Sequence, residues 1–394
     1  MPLVSRRELK RRFELEGPKK TSEHILAALR EEHLKPEDFS IRDLAEATIP
    51  DGVEYVRSIC DQSMQGSESL QVIEAAGAVD TSAFVNITGQ IVYTEIRKQF
   101  DMPEFIGGQL ARTVPTRFNG EKIPGVSGLG DNASTVVEGK GYPYVGVTEE
   151  YIQTPATTKR GFIVPVTKEA LFFDRTAEVL NRCRDVGYWL ALNKEKRIIA
   201  QATGLQNAGT AVASTYNRNG TLYATYNTSG AWVNDIASGN ALTDWTKIET
   251  VMLNFDALTD PNTGEVIMVM PKILLVPTAL RFTAKRIVDA LEVDYGSNTT
   301  NTPWNLARSA NPVGGMFQVL SSPLIKKATN DSTMWFLGDF QRAFSYMENW
   351  PITVTQAPAN SEMEFTHDIV ARFKASERGV ATASEPRYVG RSKA

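Results

Sequence analysis

The sequence predicts an α+β protein built from extended elements, and three observations carry that reading. A strand-like run through Pro165 passes directly into a helical pattern that continues from Thr167 to Gly204, about ten turns. Before it lies TRFNGEKIPGVSGLGDNASTVVEGKGYPYVGVTEEYIQTP, rich in Gly, Pro and Thr, with strand-like pieces STVV and YVGVTEEYIQ. After it, helical and strand patterns mix over the rest of the chain.

In order, SRRELKRRFELE (residues 5–16) reads as a short charged helix ended by Gly17-Pro18. A second helix runs from a Thr21/Ser22 cap through HILAALREEHL to Pro36, and FSIRDLAEATI forms a third, ending before Pro50. These helices carry few large apolar residues, which suits an arm that packs on something else. From Asp80, TSAFVNITGQIVYTEIRKQF continues helical to Met102-Pro103, with Phe84, Ile87, Ile91 and Ile96 near helical spacing. The Gly/Pro-rich stretch is too long for a structureless loop in a compact domain, and a projecting two-stranded ribbon fits it better.

The rod follows. Thr167 suits an N-cap, and Glu169 in the first turn suits the helix dipole. Val179, Cys183, Val186, Leu190, Ile198 and Ala202 give one apolar stripe, and Asn207-Ala208-Gly209 is expected to close it. ALTDWTKIETVMLNFDAL and TALRFTAKRIVDALEV read as helices. VIMVMPKILLVP reads as a buried strand interrupted by Pro271. GMFQVLSSPLI, STMWFLGDF, WPITVTQ and EFTHDIVARFKASERG are further strand candidates.

Composition is that of a globular chain of 394 residues, 42% hydrophobic and 22% charged. The net charge of −4 argues against a dedicated nucleic-acid binder, although residues 1–20 hold seven Lys/Arg against three Glu. No run reaches the ~20 apolar residues of a membrane span, and MPLVSRRELKRR lacks the apolar core of a secretory signal. The expectation is a protein made and kept in the cytoplasm, with Cys60 and Cys183 reduced.

Chemistry is sparse. Three histidines are a poor supply of acid–base groups and metal ligands. His24 and His33 sit on polar helices, and His367 and Asp368, as strand neighbours, point to opposite faces. GVSGLGDN has neither a strand before it nor a helix after it, so Gly125, Gly128 and Gly130 read as turns and not as a phosphate loop. Glu31-Glu32 and Glu149-Glu150 read as solvated faces. The basic run Arg6, Arg7, Lys10, Arg11, Arg12 is the one candidate for phosphate contact. No catalytic residue, cofactor or metal is expected. An arm and ribbon that one subunit cannot bury point to a structural, self-assembling subunit.

The order of these parts resembles the major capsid protein of tailed bacteriophages, the Hong Kong 97-type fold also found in encapsulin shells. The residues that carry the likeness are Thr167, Lys168, Glu169, Leu171 and Asp174 at the helix start, EKRIIAQATG at its end, and Gly338-Asp339-Phe340. The close DIVARFKASERGVATASEP, with Asp368, Arg378 and Gly379, adds to them. The likeness covers roughly residues 80–390.

The resemblance implies an N-terminal arm over 1–80, with scaffold-like helices at 1–70 that a protease removes in some members. It implies the start of a peripheral domain at 81–112, an extended loop at 113–160, and the peripheral domain with its spine helix at 161–214. An axial domain would occupy 215–335, and 336–394 would return to the peripheral domain and the C-terminal tail. Lys122, Lys140, Tyr142, Tyr144, Glu149, Glu150 and Arg160 would then lie at subunit contacts, and Arg6 to Arg12 on an arm facing DNA. The implied function is an icosahedral head of pentamers and hexamers, assembled in the host cytoplasm and holding double-stranded DNA by weak contact. Implied partners are a portal, a scaffold or protease and a decoration protein, with no membrane. An encapsulin-like compartment is the alternative.

Overall fold

The computed structural model describes residues 11–12, 15–16, 18–31, 33, 35, 40–48, 53, 56, 78–101, 104–126, 149–230, 232–236, 238–260, 264–296, 306–357 and 369–394. The chain opens with helices α1 (Pro18–Arg30), α2 (Ile41–Thr48), α3 (Ala78–Phe100) and α4 (Gly107–Leu110). Strands β1 (Arg112–Pro115), β2 (Lys122–Val126), β3 (Glu149–Gln153) and β4 (Thr158–Thr167) lead to helices α5 (Lys168–Phe172) and α6 (Thr176–Thr203). Short strands follow: β5 (Leu205–Gln206), β6 (Thr210–Ala211), β7 (Tyr216–Arg218), β8 (Thr221–Tyr223) and β9 (Asp235–Ile236). Then come α7 (Trp245–Asp256), β10 (Ile273–Val276), α8 (Arg281–Asp289), β11 (Glu292–Gly296), β12 (Leu306–Ala310) and β13 (Gln318–Ser321). The chain ends with α9 (Pro323–Thr329), β14 (Trp335–Gly338), α10 (Phe340–Ala343), β15 (Phe344–Gln356), β16 (Ile369–Ala383) and β17 (Val389–Ser392). The mixture is α+β, as the sequence predicts.

Two compact units share these elements. Unit 1 holds residues 1–103, 159–193 and 350–378. Its core joins Ile25 and Leu29 of α1, Ile41 and Leu44 of α2, Ile87, Ile91 and Ile96 of α3, and Cys183 of α6 to Val164 and Phe373 on strands. The N-terminal helices thus bury their few apolar residues against α3, and Pro18, not Thr21 or Ser22, opens α1. Gly187 of α6 sits so close to α3 that a Cβ there would press on the backbone of Ile96 and on Gln99. Arg184 reaches across the same helix pair to Glu95, which is 1% exposed, at 2.7 Å. Burial, helped by that carboxylate, pushes the Cys183 thiol up to about 12, so it is an inert packing group.

The rod is not continuous. Its first turn and a half, α5, ends in a left-handed residue, Asp174 (φ 51°). The Arg175 N–H donates to the Ala170 carbonyl at 2.9 Å and the Asp174 N–H to Leu171, which closes the helix in a Schellman arrangement. Asp174 then accepts from the hydroxyls of Thr176 (2.8 Å) and Ser40 (2.7 Å), while Thr176 accepts from the Ile41 N–H. The corner restarts the helix and ties α2 to it. The remaining 28 residues of α6 span about 42 Å. Gly204 (φ 69°) ends α6, whereas Asn207, Ala208 and Gly209, all at positive φ, form the turn of the β5–β6 hairpin.

Unit 2 holds residues 104–158, 194–349 and 379–394. Its centre is a five-stranded sheet ordered β13-β10-β14-β17-β9. Leu274, Leu275, Trp335, Phe336, Leu337 and Val389 are buried there, against Ile248, Val251 and Phe255 of α7 and Ala284 and Val288 of α8. Of VIMVMPKILLVP only Ile273–Val276 is strand: Ile267 and Val269 turn inward, but Met268 and Met270 are exposed and the backbone makes a single bridge, Thr259 to Val266. GMFQVLSSPLI is strand only to Ser321. There Ser322 caps the Leu324 N–H and Pro323 opens α9, a Ser-Pro helix start.

Candidate functional site

The ribbon stem is where the sequence-predicted residues meet unit 2. Strands β2 and β3 pair antiparallel from Lys122↔Gln153 to Val126↔Glu149. The stem does not stand alone, because β3 also pairs with β7 and β7 with β8, giving the order β2-β3-β7-β8. Lys140, Tyr142, Tyr144, Gly128 and Gly130 lie outside the described residues, as do Arg6, Arg7, Lys10, His367 and Asp368. Lys122 lies over the Tyr151 ring, its Nζ 4.4 Å from the centroid. Glu149 stands opposite Val126 in the ladder. Arg160 is on β4, in unit 1, away from the stem's strands in sequence. Arg11 and Arg12 are helical, with Arg11 exposed. Thr167 caps α5 by accepting from the Ala170 N–H at 3.2 Å, Lys168 is its first residue, and Glu169 is exposed in its first turn.

Glu150 is the exception to the solvated-face reading. It is 11% exposed and takes both Nε (3.1 Å) and Nη2 (2.6 Å) of Arg218 on β7. Beside this pair, Glu385 takes Nε and Nη2 of Arg387 at 2.6 and 2.7 Å and accepts from the Tyr216 hydroxyl at 3.4 Å. The two forked ion pairs line a cavity of about 250 Å³ together with Asp260. Burial and the neighbouring Glu385 raise the Tyr216 phenol well above its ordinary value. Burial opposes the Arg387 charge, but its bonds to Glu385 outweigh that and raise its pKa. Neither group exchanges a proton near neutrality. The arrangement fastens the ribbon stem to the C-terminal segment.

Three further fastenings were not legible from spacing. Glu195, quoted above only as part of EKRIIAQATG, is 4% exposed and accepts the N–H groups of Ile106 (2.9 Å) and Gly107 (2.8 Å). A Cβ at Gly107 would collide with its Oε2. Asn234 is fully buried and binds four backbone groups. Tyr346, 1% exposed, carries Lys194 Nζ 4.4 Å from its ring centroid and Arg197 at 5.6 Å, and a Cβ at Gly379 would sit 2.7 Å from its ring atoms. That contact gives Gly379 its reason.

Burial raises the Glu195 carboxyl above the ordinary glutamate value against the pull of its two N–H donors. A raised folded pKa favours the folded state at pH below the unfolded value, and that contribution is lost as pH rises through the folded pKa. Glu195→Gln, which can accept from only one of the two donors, is expected to cost about 1–2 kcal/mol. The advantage of Glu over Gln should be largest in acid and shrink with rising pH. Urea midpoints at several pH values check this; a gap that widens towards neutral pH would contradict it.

Large apolar side chains remain outside both cores. In unit 1, Phe162, Ile163, Phe173 and Trp189 are 49–60% exposed, and in unit 2 Leu253, Met268, Met270, Phe282 and Leu291 are 61–88% exposed. Among the described residues no group of His, Cys, Asp and Glu is placed to hold a metal, and no helix is long and apolar enough to cross a membrane.

A family model described as "Phage capsid protein" matches residues 150–392. No curated protein matches the chain. Among solved structures, a capsid of the cyanophage P-SCSP1u aligns at TM-score 0.45 and 10% identity, covering 73% of this chain and 88% of that one. The mature capsid of bacteriophage PhiM1 aligns at 0.43 and 13%, covering 74% and 87%. A structure from Mycobacterium phage Ogopogo aligns at 0.41 and 12%, covering 73% and 91%. The family match takes in the ribbon's return strand, α6, the whole five-stranded sheet and the closing strands, more than half of the sequence, and the chain belongs to the phage capsid protein family.

Proposed function

We propose that this capsid subunit is the major capsid protein of a tailed phage, self-assembling as pentamers and hexamers into an icosahedral head around double-stranded DNA. The observation that carries this is the family match over residues 150–392. The order of parts supports the Hong Kong 97-type reading: N-terminal helices, a ribbon stem, a strand running into a long helix, a mixed α/β unit and returning strands. In this reading the ribbon reaches over a neighbouring subunit, and α6 braces a thin shell wall. The exposed apolar side chains of both units are then contacts between subunits. The basic N-terminal run touches DNA weakly, since tight binding would hinder packing and ejection. Portal, scaffold or protease, and decoration proteins are its expected partners, with assembly in the host cytoplasm.

Sedimentation of the expressed protein through a sucrose gradient, with electron microscopy of the fast fractions, tests this. Polyhedral shells, and nuclease-protected DNA in particles from an infected host, are expected. A monomer or dimer that persists when the neighbouring virion proteins are co-expressed would overturn the reading, and protein cargo without DNA would turn it towards a compartment.

A further inference from the structure

Unit 2 carries two exposed helix faces of opposite charge. Helix α7 packs on β17, with Val251 and Phe255 against Gly390, and turns Glu249, Leu253 and Asp256 outward at steps of four and three. Helix α8 packs on β13 and β10 and exposes Arg281, Phe282, Lys285 and Arg286. The charge is regional: residues 244–272 hold five Asp/Glu against two Lys, while 278–291 hold three Lys/Arg against one Asp. Each face has an apolar centre, Leu253 at 61% and Phe282 at 79% exposed.

In the sheet order, β17 lies two strands from β10 and three from β13, so the strands under the two helices are roughly 10–15 Å apart. Among the described residues Glu249, Asp256, Arg281, Lys285 and Arg286 make no ion pair with one another. Two such patches can meet twice across a two-fold axis or once head to tail, and the closed rings of the shell reading above require the second. In that head-to-tail contact the acidic face of one copy meets the basic face of the next.

Resting on the shell reading above, we infer that α7 of one copy docks on α8 of its neighbour, with Leu253 and Phe282 in the dry centre and the charges around them. Successive copies repeat the contact and close a ring. Apolar groups at the centre supply the burial, and the charges set partner and direction.

The test reverses each face in the full chain and measures the yield of fast-sedimenting particles. Lys285→Glu with Arg286→Glu, and Glu249→Lys with Asp256→Lys, are each expected to cut yield by about tenfold or more through like-charge contact, with melting temperature unchanged. All four changes in one chain should restore it. A mixture of the two single-face variants should form six-membered rings, in which the two kinds alternate, but not five-membered ones, where one like-charge contact is unavoidable. Yield within about twofold of wild type in either single-face variant, or no recovery in the fourfold one, would overturn the contact. If the wild-type chain forms no particles even with the neighbouring virion proteins co-expressed, the shell reading fails by itself. Sedimentation equilibrium then reads the contact: association weakened by salt and by one reversal keeps it, and a plain monomer overturns it.

Discussion

Replacing Asn234 by aspartate is expected to destabilise unit 2 by at least about 3 kcal/mol at neutral pH, although the two side chains have the same shape. The Asn234 side chain is fully buried between β9 and the C-terminal segment. Its Nδ2 donates to the carbonyls of Thr225 (3.0 Å), Pro386 (3.0 Å) and Val389 (2.9 Å), and its Oδ1 accepts from the Asn227 N–H at 2.8 Å. One amide therefore satisfies backbone groups from two stretches of chain, one of them about 150 residues away. An aspartate turns an oxygen on all three carbonyls, which removes their donors and adds repulsion in a dry site. Burial and those carbonyls would raise the new carboxyl's pKa in the folded state. The variant's stability should then be best below the ordinary aspartate value and fall as pH rises through the raised one. Thermal melting of unassembled subunits between acid and neutral pH would show it. A loss under about 1 kcal/mol at neutral pH, or one flat with pH, would show that the three bonds do not hold the segment.

What the sequence made legible was what neighbouring residues decide. The Thr167 cap, the α7 helix behind Asp244 and the pairing of the ribbon stem all follow from local pattern. The break at Asp174 did not, because aspartate is a mild breaker. Its left-handed turn is held by Ser40, 134 residues earlier, as well as by Thr176 beside it. The helix start at Ser322-Pro323 was readable by the same rules as Thr167, but the preceding strand pattern masked it. Glu150 looked like a solvated face because Arg218 stands 68 positions away and meets it only when β3 and β7 pair. Asn234 gave no signal at all. An asparagine that binds remote backbone carbonyls has no periodicity and no motif, and its partners are not side chains. The fold class came from patterns, while the fastenings come from pairings that only the folded chain creates.

Gly338→Ala is the second substitution expected to be severe, about 3 kcal/mol or more, and it explains the Gly-Asp-Phe turn picked out in the sequence. Gly338 ends β14, the middle strand of the five-stranded sheet, and pairs with Ile273 on one side and Val389 on the other. A Cβ there would lie inside contact distance of the Tyr388 carbonyl oxygen and 2.7 Å from the Val389 Cα. Both are backbone atoms of a paired strand, so no side-chain rotation relieves the clash, and β17 has to move. The next residue depends on the same approach: the Asp339 N–H donates to the Tyr388 carbonyl at 3.0 Å, and its carboxylate holds Lys272 at 2.8 Å. Gly108→Ala is the control. Nothing lies within 4 Å of its Cβ position, and alanine in a helix with that room should stabilise by a few tenths to about 1 kcal/mol. Chemical denaturation of both variants separates the explanations. If Gly338→Ala cost no more than Gly108→Ala gains, the close approach of β14 and β17 would not be what fixes glycine at that position. A large loss confined to Gly338 would place the glycine's role in strand contact, since both substitutions restrict the unfolded chain in the same way.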